Sequence, residues 1–418
     1  MRRALAELVL FSAFSTGLSA QIAENRQPGA ERVPTAESRL AVYLMTFGEG
    51  EIYWEKYGHN ALWFHDPARG IDEAYNWGMF DFESPGFLRR LLVGDMQYWV
   101  AAFPGPALVE AYRELDRDVV LQRLNLTPAQ AQRALEYARW NARDENKFYR
   151  YDYFRDNCST RVRDLIDRAL DGALTRATTA TVDRTYRSET LRLVDDLKFT
   201  QLGIDVALGR PADKPLTVWE NAFVPTRLRD VVRDMRVPDS AGTPRPLVAD
   251  ERAVYTSRRH AERATTPRLW PAYLVIGLIL GAEFFGVAWA ARRLAIIEKV
   301  YRAEIGLWAF VIGLLGLLVL LTWLITEHVF WYRNENLLIF NPLSLFLMAL
   351  AFMSMRNERW LRPAAICAVL IALCGAVALL FKGLPGSQDN VPLILLTLPA
   401  HFAIAFGLWS RARAQQRS

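Results

Sequence analysis

The stretch DNCSTRVRDLIDRAL, residues 156–170, predicts a helix that begins at a cysteine. Asp156 and Asn157 precede that cysteine and are suitable capping residues. Apolar residues then repeat at helical spacing and mark a buried face, at Val162, Leu165, Ile166, Ala169 and Leu170. Cys158 lies four residues before Val162, so it shares this face and points into the body of the domain. Backbone N–H groups and the helix dipole stabilise an anion at this end of a helix, so the position favours a thiolate.

A histidine in an upstream aromatic segment, YGHNALWF at 57–64, can serve as the base for that thiol. Ala61–His65 and Ala74–Phe82 have the aromatic-rich pattern of strands, and Pro67-Ala68-Arg69-Gly70 between them carries turn residues. The pair predicts a hairpin, with His59 at its start. A cysteine and a histidine on separate segments can form a nucleophile and its base.

A third group is expected to orient the imidazole of His59. Asn76, in Tyr75-Asn76-Trp77-Gly78, is the first choice because it lies on the partner strand, and Asp81 is the second. Asp72 lies near the same strand. Asn76 can equally be a strand-end residue that only makes structural hydrogen bonds, and His65-Asp66-Pro67 has the character of a turn.

Further strands are predicted at Leu40–Thr46 and Asp118–Leu126. A helix should start at Thr127-Pro128, with the threonine as cap and the proline at the first helical position, and run to about Asp144. These elements together predict an α+β domain.

Three cysteines occur in the chain, at 158, 367 and 374. Cys367 and Cys374 lie in an apolar run, which leaves Cys158 without a disulfide partner in its own domain. A lone thiol in an exported domain favours a reactive role. The alternative is a small buried hydrophobic residue.

The N-terminus has the pattern of a secretory signal at 1–20, with Arg2 and Arg3 before a short apolar stretch. An uncleaved anchor is the alternative. Residues 21–38 are polar and resemble a linker. The exported domain is predicted at 39–268 and an all-α membrane domain at 269–418.

Five apolar runs in the C-terminal part are long enough to cross a bilayer. They are Trp270–Ala291, Ile305–Ile325, Leu337–Met355, Ala364–Phe381 and Val391–Trp409. Arginines and lysines follow the first, third and fifth runs, whereas the loops at 326–336 and 382–390 carry few. The positive-inside rule then places the C-terminus in the cytoplasm and the exported domain in the periplasm of a bacterial inner membrane.

The motifs YGHNALWF, YNWGMFDF, RYDYFRDNCSTRVRD and GIDVALGRPAD, in this order, resemble the exported domain of the Lnb-type lipoprotein N-acyltransferases. The order of histidine before cysteine also resembles the permuted NlpC/P60 group, which implies a papain-like fold. Asn157-Cys158 matches the asparagine–cysteine pair that opens the nucleophile helix in some members of that group. The resemblance implies Cys158 as nucleophile and His59 as base, and it leaves the third residue open.

The activity that this resemblance implies is the transfer of an acyl chain from a phospholipid to a lipoprotein. The acyl group would pass through a thioester on Cys158 to the α-amine of a diacylglyceryl-cysteine, so the expected partners are the phospholipid donor, the diacylated lipoprotein and the membrane. One alternative is a cysteine peptidase or amidase that acts on peptidoglycan or protein. Another is a non-catalytic membrane receptor or assembly factor.

Further polar residues are possible site residues. Tyr57, Asn157, Tyr151 and Asp152 could orient the base or shape the pocket, although a capped helix start explains the last three equally well. The outer loop at 326–336 could contact lipid or lipoprotein through His328, Arg333, Asn334 and Asn336. His401 lies inside the fifth run, where ionisable groups are often functional. No metal or cofactor motif and no basic stripe for nucleic acid is apparent, so neither is expected.

Overall fold

The computed structural model describes residues 40–238, 242–259 and 262–416. The predicted signal at 1–20 and the linker at 21–38 lie outside the described residues. The chain forms two compact units. We call the first the sheet domain; it contains the described residues up to Arg184 and Pro215–Ala264. The second is the helical domain, formed by Thr185–Lys214 and the residues from Thr265 onward.

The sheet domain is built on antiparallel strands. They are β1 Ala41–Phe47, β2 His59–Asp66, β3 Ile71–Met79, β4 Gln97–Phe103, β5 Val119–Leu124, β6 Phe148–Arg150, β7 Arg236–Pro238, β8 Pro244–Pro246 and β9 Val248–Tyr255. Seven of them form one sheet in the order β6-β4-β3-β2-β1-β5-β9, and β7 pairs with β8. Pro67–Arg69 joins β2 to β3 as a 3₁₀ turn, which confirms the predicted hairpin.

The helices of the sheet domain cover both faces of the seven-stranded sheet. They are α1 Phe87–Val93, α2 Gly105–Glu114, α3 Pro128–Asn141, α4 Cys158–Ala169, α5 Ala173–Ala177, α8 Val218–Asn221 and α9 Pro225–Asp234, while α6 Tyr186–Leu193 and α7 Lys198–Ala207 belong to the helical domain. Leu44, Leu62 and Trp77 pack with α3 and α4 on one face. Met45 and Ala61, which alternate with them along the strands, pack with α2 on the other.

Local capping explains where the two main helices begin. Thr127 caps α3 with a reciprocal capping box to Gln130, as the Thr-Pro start predicted. Asn157 caps α4 in the same way with Thr160, so that Cys158 is the first helical residue. The mixed α and β domain, followed by a helical region, confirms the predicted fold class in outline.

The helical domain contains four helices that are long and apolar enough to cross a membrane, among the residues described. Its long helices are α10 Trp270–Ala290, α11 Ala295–Ile325, α13 Leu361–Leu380 and α14 Val391–Gln415, and between them lies the shorter α12 Ser344–Arg356. The predicted third span, Leu337–Met355, is therefore wrong as a continuous helix. α12 has only 13 residues, or about 20 Å at 1.5 Å per residue, against a hydrocarbon core of about 30 Å.

The segment before α12 is irregular but buried. Pro342 has no backbone N–H for a helical bond, and the Asn341 carboxamide accepts from Leu343 N at 3.0 Å. A Cβ added at Gly316 of α11 would lie 2.1 Å from the Phe340 carbonyl oxygen, so glycine is what lets this backbone approach α11. Apolar composition predicts a membrane-spanning helix here. It cannot distinguish such a helix from irregular backbone that is buried within the protein.

Residues 185–214 pack with the helical domain, although the sequence assigned them to the exported domain at 39–268. Arg187 of α6 is buried between two carboxylates, 2.6 Å from Asp205 Oδ1 and 2.7 Å from Asp213 Oδ1. The side chain of Asn334 donates to the carbonyls of Val206 and Ala207, each at 2.9 Å. We call these residues and Asn336 the polar cluster. It joins α7 to the loop after α11. The two compact units meet at Ala264–Thr265, close to the predicted boundary at 268, and residues 185–214 are the part of the predicted exported domain that belongs to the helical unit.

Candidate active site

Cys158 is held at the first position of α4 by the residue before it. Asn157 Oδ1 accepts from Thr160 N at 2.9 Å, and its Nδ2 donates to the carbonyls of Tyr153 at 2.9 Å and Phe223 at 3.0 Å. Asn157 therefore has a structural role: all its polar atoms fix the start of α4. Cys158 packs on the apolar core between sheet and helix while remaining partly exposed.

His59 begins β2, and its ring is oriented by Asn76 of β3. His59 Nε2 makes a short hydrogen bond to Asn76 Oδ1. Because a carboxamide oxygen only accepts, this assignment places the imidazole proton on Nε2 and leaves Nδ1 as the free acceptor. Of the residues considered for orienting His59, Asn76 is the one that hydrogen-bonds its ring. The β2–β3 register, in which Asn76 lies opposite Ala61, brings the two side chains together.

Gly78 marks the point where the thiol and the imidazole approach each other. A Cβ built on Gly78 would lie 3.5 Å from Cys158 Cβ and 3.8 Å from His59 Cε1. The β3–β4 pairing shifts between Trp77 and Met79, and Gly78 has φ of +96°. Glycine permits this left-handed bulge and leaves the space beside the thiol open.

The residues that follow His59 and Cys158 bind each other. Ser159 Oγ lies 2.9 Å from Asn60 Oδ1 and 2.7 Å from the Ala222 carbonyl oxygen. Asn60 Nδ2 donates in turn to Thr46 Oγ1 at 2.9 Å. Asn60 and Ser159 are both fully buried. This bridge ties β2 to the start of α4 and so fixes the imidazole relative to the thiol.

A cationic group lies behind the histidine. The Tyr112 ring of α2 stacks on His59 with centroids 6.0 Å apart, and the Arg117 guanidinium lies 4.8 Å from the centroid of the Tyr112 ring. Arg117 is buried, donates to Gly48 O at 2.9 Å and pairs with Glu55 at 3.6 Å. Tyr112 and Arg117 were not predicted as site residues, because no motif or spacing connects them to either site segment.

Burial disfavours the charged form of both the Cys158 thiol and the His59 imidazole. Burial raises the pKa of the Cys158 thiol to about 11, although backbone N–H groups of Asn60, Ser159 and Cys158 and the charge of Arg117 act to lower it. Burial lowers the pKa of His59 to about 4, opposed by the Asn76 hydrogen bond. The helix start favours the thiolate as expected, but desolvation of the charged form opposes it and is the larger effect.

Other residues singled out from the sequence lie around the site in different roles. Asp81 is exposed and accepts from Glu83 N at 2.8 Å, so it shapes a turn rather than orienting His59. Asp152 accepts from Phe154 N and Arg155 N, each at 2.9 Å, in the turn before α4. Tyr151 stacks on Tyr98 at 4.1 Å, and burial, followed by the negative charge of a Cys158 thiolate, raises the pKa of Tyr151 well above its ordinary value. Tyr57 meets Tyr53 edge to face at 6.1 Å.

The loop residues proposed for lipid or lipoprotein contact belong to the helical domain, and most are committed to packing. Asn334 and Asn336 are buried and donate to backbone carbonyls of 205–207, which contradicts a free ligand-binding role for their carboxamides. His328 is buried and stacks on Trp331 at 4.4 Å. Arg333 alone of the four is exposed. No group of three metal-ligating side chains occurs within the described ranges.

These features describe a protein that has helices able to cross a membrane and a separate sheet domain. In the sheet domain, a cysteine at the start of a helix lies beside a histidine that is hydrogen-bonded to an asparagine. Residues 34–195 match the family described as the Lnb N-terminal periplasmic domain. This match confirms the resemblance drawn from the motifs and supports a membrane protein with a periplasmic N-terminal domain. Comparisons with curated proteins and with solved structures give no match.

Proposed function

We propose that this chain is a lipoprotein N-acyltransferase that carries the acyl group on Cys158. The observation that carries the proposal is the arrangement of a thiol at the start of α4, an imidazole beside it and Asn76 Oδ1 on the far ring nitrogen. Nucleophile, base and orienting group are the parts that acyl transfer through cysteine requires.

In the first half-reaction the thiol attacks the carbonyl carbon of a phospholipid acyl ester. His59 Nδ1 takes the thiol proton as the carbon–sulfur bond forms. The ester carbon–oxygen bond breaks, and the same proton passes to the glycerol oxygen, which leaves as a lysophospholipid. The positive imidazolium stabilises the negative charge that develops during the attack. The pair can therefore start out neutral and needs no ion pair before the substrate binds.

In the second half-reaction a neutral α-amine of a diacylglyceryl-cysteine attacks the thioester carbonyl. A carbon–nitrogen bond forms and the carbon–sulfur bond breaks. The proton lost from the amine returns through His59 to the sulfur, which restores the thiol. The products are an amide on the lipoprotein and the free enzyme.

The proposed donors to the oxyanion of each tetrahedral intermediate are backbone N–H groups beside the Cys158 sulfur. Backbone N–H groups of Asn60, Ser159 and Cys158 act to lower the pKa of the Cys158 thiol, which puts them close to the sulfur. Donors already fixed near the sulfur require no reorganisation as the charge develops.

The proposed location is the bacterial inner membrane, with the sheet domain in the periplasm and the C-terminus in the cytoplasm. Basic residues cluster at the start of α11, between α12 and α13, and at the end of α14. If these three places share the cytoplasmic side, the chain must return from the end of α11 through the irregular segment and α12. Burial of Ile339 and Phe340 within the helical domain supports such a return.

The test is intact-mass analysis of wild type and Cys158→Ala after incubation with phospholipid vesicles. We expect the wild type to gain one acyl group that neutral hydroxylamine removes, and the variant to gain none. Addition of a diacylated lipopeptide should discharge the adduct and yield N-acylated peptide. Discharge to free fatty acid without amide formation would indicate a hydrolase, and the absence of any adduct in folded protein would reject the proposal.

A further inference from the structure

Large apolar side chains lie exposed on one side of the sheet domain. Leu88 and Leu92 of α1 are 66% and 62% exposed, and they lie four residues apart on the same face of the helix. No residue of α1 is buried. Phe87 packs on Phe80 and Phe82, whereas the two leucines face away from the domain, which points to another surface that they meet.

The exposed leucines belong to a larger apolar surface. The Trp54 ring lies 5.4 Å from Phe82, and Phe82 lies 5.1 Å from Phe87 at the start of α1. Trp54 is itself 36% exposed. We call Trp54, Phe82, Phe87, Leu88 and Leu92 the apolar patch.

A line of aromatic rings leads from this patch toward the core cluster that contacts Cys158. Phe82 meets Phe80 at 4.8 Å, Phe80 stacks on Tyr98 at 4.9 Å, and Tyr98 stacks on Tyr151 at 4.1 Å. Tyr151 packs against the same core cluster as Cys158. Ring contacts therefore extend from the patch to Tyr151, which packs on the core cluster that also contacts Cys158.

The charge around α1 indicates what covers the patch. Arg89 is exposed next to Leu88, and Arg90 lies 3.2 Å from Ser84 Oγ at the base of the helix. Leucines flanked by arginines are typical of helices that lie in the headgroup region of a bilayer, where the cations meet lipid phosphates. The same chain carries helices long and apolar enough to cross a membrane, so a lipid bilayer is the surface that this chain would meet.

We propose that the apolar patch inserts into the surface of the phospholipid bilayer and that α1 is the inserting element. The acyl chain of a membrane lipid then enters the domain along the aromatic line toward Cys158. The first statement is independent of the reaction, whereas the second rests on the proposed function.

The first experiment locates the patch without using catalysis. A photoreactive benzoylphenylalanine replaces Leu88 or Leu92 in the full chain carrying Cys158→Ala, reconstituted in vesicles of phosphatidylethanolamine and phosphatidylglycerol. Val254 is the control position, because it is 49% exposed but lies on β9 at the far edge of the sheet. We expect lipid adducts at 88 and 92 and few at 254. Equal lipid labelling at all three positions, or cross-links to protein alone, would overturn the proposal.

The second experiment tests delivery of the acyl chain. The variant Leu88→Asp with Leu92→Asp should acylate Cys158 from vesicle phospholipid at least about tenfold more slowly, since each leucine loses its burial in lipid. Acylation by a soluble short-chain nitrophenyl ester should stay at the wild-type rate, as should both reactions of Val254→Asp. An equal loss with both donors would show that α1 only supports the fold and would overturn delivery. No acylation of the wild type by either donor would reject the proposed function and leave the cross-linking result standing.

Discussion

The site of the sheet domain and the polar cluster of the helical domain are both built from buried polar side chains, yet they differ in how completely those side chains are paired. In the polar cluster, Arg187 donates to Asp205, Asp213 and the Leu208 carbonyl, at 2.6, 2.7 and 2.7 Å. In the site, His59 Nε2 is hydrogen-bonded to Asn76, which leaves Nδ1 as the ring nitrogen that can accept a proton. Saturated pairing stabilises a fold, whereas an oriented group with one open position can move a proton.

The largest expected effect is the loss of acyl transfer when the proposed nucleophile, Cys158, is replaced. Cys158→Ala should lower acyl transfer by about 10⁴-fold or more, because the thioester can no longer form. Unfolding stability should change by less than about 1 kcal/mol, since only one sulfur is removed from a partly exposed position. Acyl transfer and thermal unfolding of the full chain in detergent measure the two effects.

Cys367→Ala is the matched control, because it removes a thiol from the helical domain. It should retain wild-type transfer. Residual acyl transfer by Cys158→Ala near the wild-type rate would show that another group is the nucleophile and would remove the contrast between the two regions.

The next effect belongs to the polar cluster. Arg187→Met should lower the free energy of unfolding by about 3–5 kcal/mol, because it leaves Asp205 and Asp213 buried without their cation. The folded fraction should still alkylate at Cys158 as the wild type does, since Arg187 takes no part in the site. Urea unfolding of the detergent-solubilised chain and alkylation rates distinguish stability from chemistry.

Arg133→Met provides the comparison for an exposed ion pair. Arg133 lies 3.0 Å from Asp171, but both side chains are exposed, so the loss should be below about 1 kcal/mol. If Arg187→Met lowered the free energy of unfolding no more than Arg133→Met does, the fully paired polar cluster would not stabilise the fold as proposed.

A smaller catalytic effect is expected at the orienting residue. Asn76→Ala should lower kcat for acyl transfer by about 10²-fold, because the imidazole loses the contact that fixes its tautomer and direction. Asn76→Asp should retain more activity and raise the pKa of His59 above its value of about 4. A base works only when neutral, so the acid limb of kcat/KM should move to higher pH in this variant. An unmoved limb would mean that His59 is not the base.

How much of this arrangement the sequence predicts depends on the range of the contacts. The start of α4 follows from Asn157 and the helical repeat, and the facing of His59 and Asn76 follows from a hairpin with a short turn. These are local features. The sequence could place the histidine, the cysteine and the asparagine because each lies on an element whose periodicity is evident.

Contacts between distant segments were not predictable in the same way. Asn336 looked like an exposed loop residue, but its partners are carbonyls of Asp205 and Val206, more than a hundred residues away. Arg117 lies over the Tyr112 ring, which stacks on His59, so its place beside the site depends on how α2 packs on the sheet. The break before α12 escaped detection because hydropathy does not distinguish a helix from buried irregular backbone.

The smallest expected effect concerns Arg117 and the thiol. A pKa of about 11 for Cys158 means that iodoacetamide alkylation of the substrate-free chain should keep rising with pH through pH 10. Arg117→Met removes a positive charge that favours the thiolate, so the pKa of Cys158 should rise and alkylation at a fixed pH should slow several-fold. Each unit of pKa lowers the thiolate fraction by about tenfold, which sets the upper limit when the pKa rises by one unit or less. Arg117→Lys keeps the charge and should alkylate at nearly the wild-type rate. A rate that levels off near pH 7 would instead reveal a preformed thiolate, and the site would then be activated before any substrate arrives.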